Sequence, residues 1–235
     1  MLTCVIYVKG NEASETAVAK TVESLEHHNW DYSLVEGVTA KTIDHDEFPY
    51  PDLRGGRLES FRLNSKEVER NKYLTKKSCL FNNLRLARFV IEKNQSAIFM
   101  EHDVVVTMGQ PNHTGVIDSC FLNMDGAFFA PSALNKSHLR EWYQKHHHKL
   151  GVQDFPYDYP LRYYKESIYY GSLMTPGTSA YMLTVSGAKK LLKSAEIGLE
   201  QSDFIINSHI MNLQYMYPSP VKFQPVNPNL SHTLT

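Results

Sequence analysis

The chain has 235 residues, 42% of them hydrophobic, with 24 lysines and arginines against 25 aspartates and glutamates. That length supports a substantial core, read as one domain over residues 1–235, and the near-neutral balance demands no polyanionic partner. No apolar run is long enough to cross a bilayer, residues 1–8 are too short for a secretory signal, and Cys4, Cys79 and Cys120 form no metal-like spacing, so the expectation is a reduced, soluble, cytoplasmic protein.

Residues 2–8 are a β-branched run that stops at the turn Lys9-Gly10-Asn11, and Ala13, Ala17, Val18, Val22 and Leu25 then recur at helical spacing. Tyr32, Leu34 and Val35 form a second strand ending at Glu36-Gly37, which gives a β-α-β opening with a parallel pair. Residues 40–72 lack periodicity and contain Pro49, Pro51 and Gly55-Gly56, so they read as a long loop. Between residues 52 and 93, eleven basic side chains stand against five acidic ones, a cationic stretch able to meet phosphates.

A helix is predicted over residues 76–93 from the stripe Leu80, Leu84, Ala87, Val90 and Ile91, closed by Asn94. An apolar strand, residues 96–106, follows and is interrupted by Glu101-His102-Asp103. Residues 111–118 suggest a short helix and residues 126–130 another strand. Residues 141–170, rich in Tyr and His, read as an irregular lid or acceptor-side segment. Residues 179–184 form a strand, Ser186 caps a helix through Ala188, Leu191 and Leu192, a last helix spans 203–213, and residues 221–224 form a final strand before a polar tail. Helices alternating with strands make this an α/β protein with a mixed, mostly parallel sheet flanked by helices.

Glu101 and Asp103 are the most informative pair. Carboxylates avoid burial without a partner, and an acid-x-acid strand end presents its oxygens at the carboxyl edge of a sheet, where open α/β folds bind ligands. Mg²⁺ and Mn²⁺ take one or two carboxylates completed by phosphate oxygens and water, so the pair fits a nucleoside-diphosphate site as well as it fits a solvated acidic turn. His232, in the tail, is a candidate third ligand. Asp203 and Glu200 are both candidates for a general base at the entry to the last helix, where Asp203 would otherwise serve as a helix cap. Lys9, Asn11 and Glu36 follow the first two strands, where a nucleotide would lie, and Lys77 at a helix start is placed for a phosphate. His146-His147-His148 point in different directions and make a poor metal site. No GxGxxG or GxxxxGK[ST] motif is present.

Three pieces in order resemble glycosyltransferase family 25, the group of lipopolysaccharide and collagen galactosyltransferases. Leu74-Thr75-Lys76-Lys77-Ser78-Cys79 with Asn82-Asn83 is similar to its LTxGExGCxxSH segment. Glu101-His102-Asp103 stands at its acidic motif, and Gly177-Thr178-Ser179-Ala180-Tyr181 through Leu191-Leu192 resembles its GxxAYxxSxxGAxxLL run. Lys76-Lys77 replaces the Gly-Glu pair, Asn82-Asn83 replaces Ser-His, and Glu101 replaces the usual Asp. The resemblance implies a GT-A (Rossmann-like) fold, a nucleotide-sugar donor with UDP-sugars foremost, Mn²⁺ or Mg²⁺ on Glu101 and Asp103, Asp203 as base, and inversion. The acceptor is left among a glycan, a protein and a hydroxymethylated DNA base, the oligomeric state is open, and the competing readings are a catalytically silent nucleotide- or glycan-binding module of the same fold and a metal-dependent nucleotidyltransferase or phosphohydrolase.

Overall fold

The computed structural model describes residues 1–124, 137–163 and 167–224. The opening unit is as expected: β1 (Thr3–Tyr7), α1 (Glu12–His27) and β2 (Tyr32–Glu36), with β1 and β2 parallel. The long loop expected over 40–72 instead holds a 3-10 turn (His45–Glu47), α2 (Arg57–Arg62) and the first turns of α3 (Glu67–Lys93). Leu58 and Phe61 bury one face of α2, a face too short to show a period in the sequence. Asn94 closes α3 in a left-handed conformation, and its amide donates to Ile91 and Val90 carbonyls.

The acidic strand breaks at its own turn into β3 (Ala97–Glu101) and β4 (Val104–Val106). β5 (Ser119–Phe121) follows without the short helix expected at 111–118. The irregular segment expected over residues 141–170 holds the end of α4 (Ser137–Lys145) and β6 (Gly151–Asp154), and Tyr143, Tyr159, Tyr163 and Tyr169 are buried. β7 (Ala180–Leu183) leads into α5 (Val185–Ile197), which Thr184 caps by accepting from the Gly187 amide at 3.1 Å, in place of Ser186. The helix expected over 203–213 is only α6 (Ser202–Ile205). Asn207 Nδ2 donates to the Phe204 carbonyl at 2.7 Å, which ends the helix, and the apolar residues that follow feed β8 (Leu213–Tyr217). β9 (Val221–Phe223) pairs with β4 in a separate two-stranded ribbon. The strand expected at 126–130 lies outside the described residues.

The main sheet has the order β2-β1-β3-β7-β5-β8-β6. β7 and β6 run against the other five strands, so the sheet is mixed and mostly parallel in direction. Side chains alternate across it. Ala97 and Phe99 face the core beneath α3 and α5, which holds Leu80, Phe81, Leu84, Ala188 and Leu191. Ile98 and Met100 face the second core, which holds Val18 and Leu25 of α1 and Val104 of the ribbon. No helix among the described residues is long and apolar enough to cross a membrane.

α5 approaches the chain before β5 so closely that a Cβ on Gly187 would stand 2.3 Å from the Asp118 carbonyl oxygen. Backbone cannot yield there as a flexible side chain would. Gly187→Ala is expected to cost about 1–3 kcal/mol by denaturant unfolding, whereas Gly109→Ala, which meets nothing within 4 Å, should be near neutral.

Candidate active site

Glu101 ends β3 level with Ile6 of β1, and Tyr7 stands level with Glu36 of β2. The carboxyl ends of three adjacent parallel strands therefore form one edge. Glu101 follows Ala97 and Phe99 in the pleat, so its side chain enters the α3 and α5 layer. The turn after it is held from the opposite layer. Thr21 of α1, fully buried, shares its hydroxyl proton between the His102 and Val104 carbonyls at 2.6 and 2.7 Å. Gln224, just past β9, donates its amide to the Asp103 carbonyl at 2.9 Å and its side chain to the Ala17 carbonyl at 2.7 Å. Thr21 and Gln224 thus donate five bonds to the carbonyls of a turn that bears two acids.

Asp203 comes to the same place from the first turn of α6. Thr178 Oγ1 donates to its Oδ1 at 3.0 Å and Gln201 Nε2 to its Oδ2 at 3.1 Å, so each oxygen is held by one neutral donor. Burial raises the Glu101 carboxyl from 4.5 to about 8, with the charges of Asp103 and then Asp203 adding to the rise and Lys76 opposing it. Burial likewise raises the Cys79 thiol to about 12, with Glu101 and Asp203 contributing and Lys76 again opposing. Glu101, Asp103, Asp203, Lys76 and Cys79 therefore share one electrostatic neighbourhood built from β3, the turn after it, α3 and α6. Lys76, Thr178 and Gln201 were not among the site residues expected from sequence. The basic character of Lys76 was visible, but the direction it faces depends on where α3 begins.

The other expected residues have different surroundings. Lys77 is in the third turn of α3, not at a helix start, because the helix begins at Glu67. It is buried, donates to Tyr73 Oη at 3.2 Å, and is lowered by burial despite the charge of Asp52. Helix-terminus attraction therefore gives it no phosphate role. Asn11 caps α1 by accepting from the Ser14 amide at 2.9 Å. Lys9 and Glu36 are exposed at the edge formed by β1 and β2.

Glu200 is fully buried. Its carboxylate accepts from the amides of Arg57 at 2.8 and 2.9 Å, Leu58 at 3.2 Å and Gln201 at 2.7 Å, and from the Tyr163 hydroxyl. It caps α2 from a distant part of the chain. Gly56 permits this approach, since a Cβ there would lie 2.6 Å from Glu200 Oε2. His148 is bonded to Tyr215 Oη and the Tyr143 carbonyl, both at 2.9 Å, and His146 stacks on Trp142, so the histidine run is part of local packing. His232 lies outside the described residues.

Among the described residues, no group of three or more His, Cys, Asp or Glu side chains is set to hold a metal ion by itself. Glu101 and Asp103 nevertheless fit Mg²⁺ or Mn²⁺ as a two-carboxylate set, the kind completed by phosphate oxygens and water. The carboxylate charges that raise Glu101 are of the kind a dication would offset.

No family model matches the sequence, and no curated protein matches it. Solved structures similar to the chain include a glycosyltransferase involved in the glycosylation of the major capsid of PBCV-1, at 12% identity and a TM-score of 0.29. The match covers 82% of this chain and 65% of that one, so the chain spans a little under two thirds of that protein's length.

Two measurements follow from the charges. Glu101 is raised from 4.5 to about 8 in the fold, so the folded state holds the extra proton between those values and stability without a cation falls as pH rises through the window. Glu101→Gln is expected to flatten that slope in denaturant unfolding at a series of pH values. An unchanged slope would assign it elsewhere. Glu200→Gln places an amide N–H₂ against backbone donors in a closed space and is expected to lower stability by roughly 2–4 kcal/mol, read by the same unfolding curves at neutral pH.

Proposed function

We propose that this chain is a metal-dependent glycosyltransferase of GT-A type, built as one domain, that moves a sugar from a nucleotide-sugar to an acceptor hydroxyl. The observation that carries the reading is the convergence of Glu101, Asp103 and Asp203 at the carboxyl edge of a mixed α/β sheet, the place where such folds receive ligands. Glu101 and Asp103 are the cation ligands, with His232 the candidate third. A divalent cation there supplies charge neutralisation for a departing diphosphate. Lys9 and Glu36 border the nucleoside, which lies over the ends of β1 and β2, and a UDP-sugar heads the candidate donors.

Asp203 is the general base. It is the free choice of the two carboxylates considered, because Glu200 already accepts from three amides and a phenol. Thr178 and Gln201 orient Asp203 without supplying a charge that would pin it. In an inverting transfer the acceptor oxygen bonds to the anomeric carbon as the bond from that carbon to the diphosphate oxygen breaks, and Asp203 takes the acceptor's proton. The acceptor hydroxyl belongs to a glycan, a protein or a hydroxymethylated DNA base, and steep weakening by salt singles out DNA.

The test is nucleoside diphosphate release from a panel of UDP- and GDP-sugars with Mn²⁺ or with EDTA. Release from one donor is expected with Mn²⁺, abolished by EDTA and by Asp103→Ala, and slowed about 10²–10⁴-fold by Asp203→Asn in the presence of acceptor. Nucleotide binding with no release of any kind would replace the transferase with a silent binding module. Pyrophosphate or inorganic phosphate as product would identify a nucleotidyltransferase or phosphohydrolase.

A further inference from the structure

We propose that Lys76 is the phosphate-recognition residue of this site, its ammonium receiving the terminal phosphate of a bound nucleoside diphosphate. The inference rests on the functional reading above and extends it to a residue placed by the geometry of α3.

Asn83 fixes the height of α3 against the sheet. Its Oδ1 accepts from Tyr181 Oη at 2.6 Å, and Tyr181 stands opposite Phe99 in the β3–β7 pairing and stacks on it at 5.4 Å. Only a tight turn around Asn94 separates α3 from β3, so the helix runs back along the strand, and moving toward its amino end is moving toward the carboxyl edge of β3. Cys79 is one turn back from Asn83, about 6 Å at 1.5 Å per residue, which matches the roughly 6.6 Å from Phe99 to Glu101 along the strand. Cys79 is therefore level with Glu101. Lys76 comes three residues earlier on the same helix face, about 4.5 Å further out, where it overhangs the acidic edge.

The surroundings of its charge point the same way. Lys76 is half-buried, and its charge acts on Glu101 and on Cys79. Among the described residues, however, no carboxylate lies within ion-pair distance of its ammonium, unlike Lys72, Lys145 and Lys190. It enters no hydrogen bond there either, whereas neighbouring Lys77 is engaged by Tyr73. A lysine held beside acids without pairing is available to an anion that arrives with its own cation.

The order of groups along the edge selects the phosphate. Lys9 and Glu36 lie at β1 and β2, Glu101 and Asp103 at β3, and Lys76 with Asp203 on the helices beyond. A nucleoside over β1 and β2 with a cation at β3 brings its terminal phosphate toward Lys76, on the side where the sugar and the base Asp203 meet. A charged hydrogen bond of this kind typically changes affinity by tenfold or more.

The experiment titrates wild type, Lys76→Ala and Lys76→Arg with UDP and GDP and with UMP and GMP, each with Mn²⁺, by calorimetry. Lys76→Ala is expected to weaken binding of the preferred diphosphate by roughly tenfold or more, to change the matching monophosphate by less than about threefold, and to keep a single cooperative unfolding transition. Lys76→Arg should recover most of the loss. Wild-type diphosphate affinity in Lys76→Ala, or an equal loss for mono- and diphosphate, would overturn the role of Lys76 and leave the transferase reading standing. Failure of the wild type to bind either diphosphate would overturn both.

Discussion

Glu101 at the end of a central strand feels the charges of two further carboxylates, Asp103 and Asp203, and the rest of the site depends on how that repulsion is managed. Water would screen them cheaply, but Glu101 projects into the layer beneath α3, where burial disfavours charge before any neighbour is counted. Asp103 and Asp203 add to the cost and Lys76 relieves part of it. A purely structural site would resolve such a conflict by ion-pairing the lysine with an acid. Here Lys76 forms no ion pair with any acid among the described residues, and the strain falls on Glu101, whose carboxyl is raised to about 8.

Holding that arrangement requires stiffness elsewhere. Glu200 supplies it by joining the start of α2 to the entry of α6 through backbone amides. The carboxylate brings the 51–58 segment against the chain that carries Asp203, and the joint is completed by the Leu53 amide donating to the Leu199 carbonyl and the Leu199 amide donating to the Pro51 carbonyl. Asp52 does a comparable task at the neighbouring surface, where Arg62 and Tyr73 both donate to it. Buried acids in this protein thus fall into two kinds. Glu200 and Asp118 are surrounded by donors and act as fasteners, the hydrogen bonds from Lys190, Asn212 and Ser186 outweighing burial and holding Asp118 low. Glu101, partly exposed, has no side-chain hydrogen bond among the described residues, and burial with the charge of Asp103 raises its carboxyl.

Local signals were legible in the sequence and long-range ones were not. β1, α1, β2, the apolar stripe of α3 and the break at Glu101-His102-Asp103 follow from periodicity over a few residues. The carboxyl-edge placement of the acids follows from the same pattern. Glu200 looked like a possible base because its partners, Arg57 and Leu58, lie more than a hundred residues away. α2 was invisible for the matching reason, as its cap is that distant side chain. The expected helix over 203–213 failed because Ile205, Ile206, Ile210 and Leu213 are apolar at spacings a helix also uses, while the sheet required Leu213 and Tyr215 as an inner strand. The direction of Lys76 was lost with the start of α3, since a helix beginning at 76 would have made it a terminal residue.

The two halves of the site are set by different cores. The turn that bears Asp103 is tied to α1 and the β4–β9 ribbon through Thr21 and Gln224, on the side of Val18, Leu25 and Val221. Asp203, Cys79 and Lys76 belong to α6 and α3, on the side of Leu80, Leu84 and Ile205. Glu101 joins them, since its backbone lies in the sheet between the layers and its amide donates to the Ser179 carbonyl at 2.8 Å. Thr178, the next residue back, is the one that orients Asp203. The bond from Glu101 to Ser179, which extends the β3–β7 pairing by one step, therefore links the acidic turn to the segment that orients the proposed base. That strand pair, which is among the most buried in the protein, lies between the two cores and touches both. Central burial of the coupling element is what lets residues from opposite layers keep a common geometry.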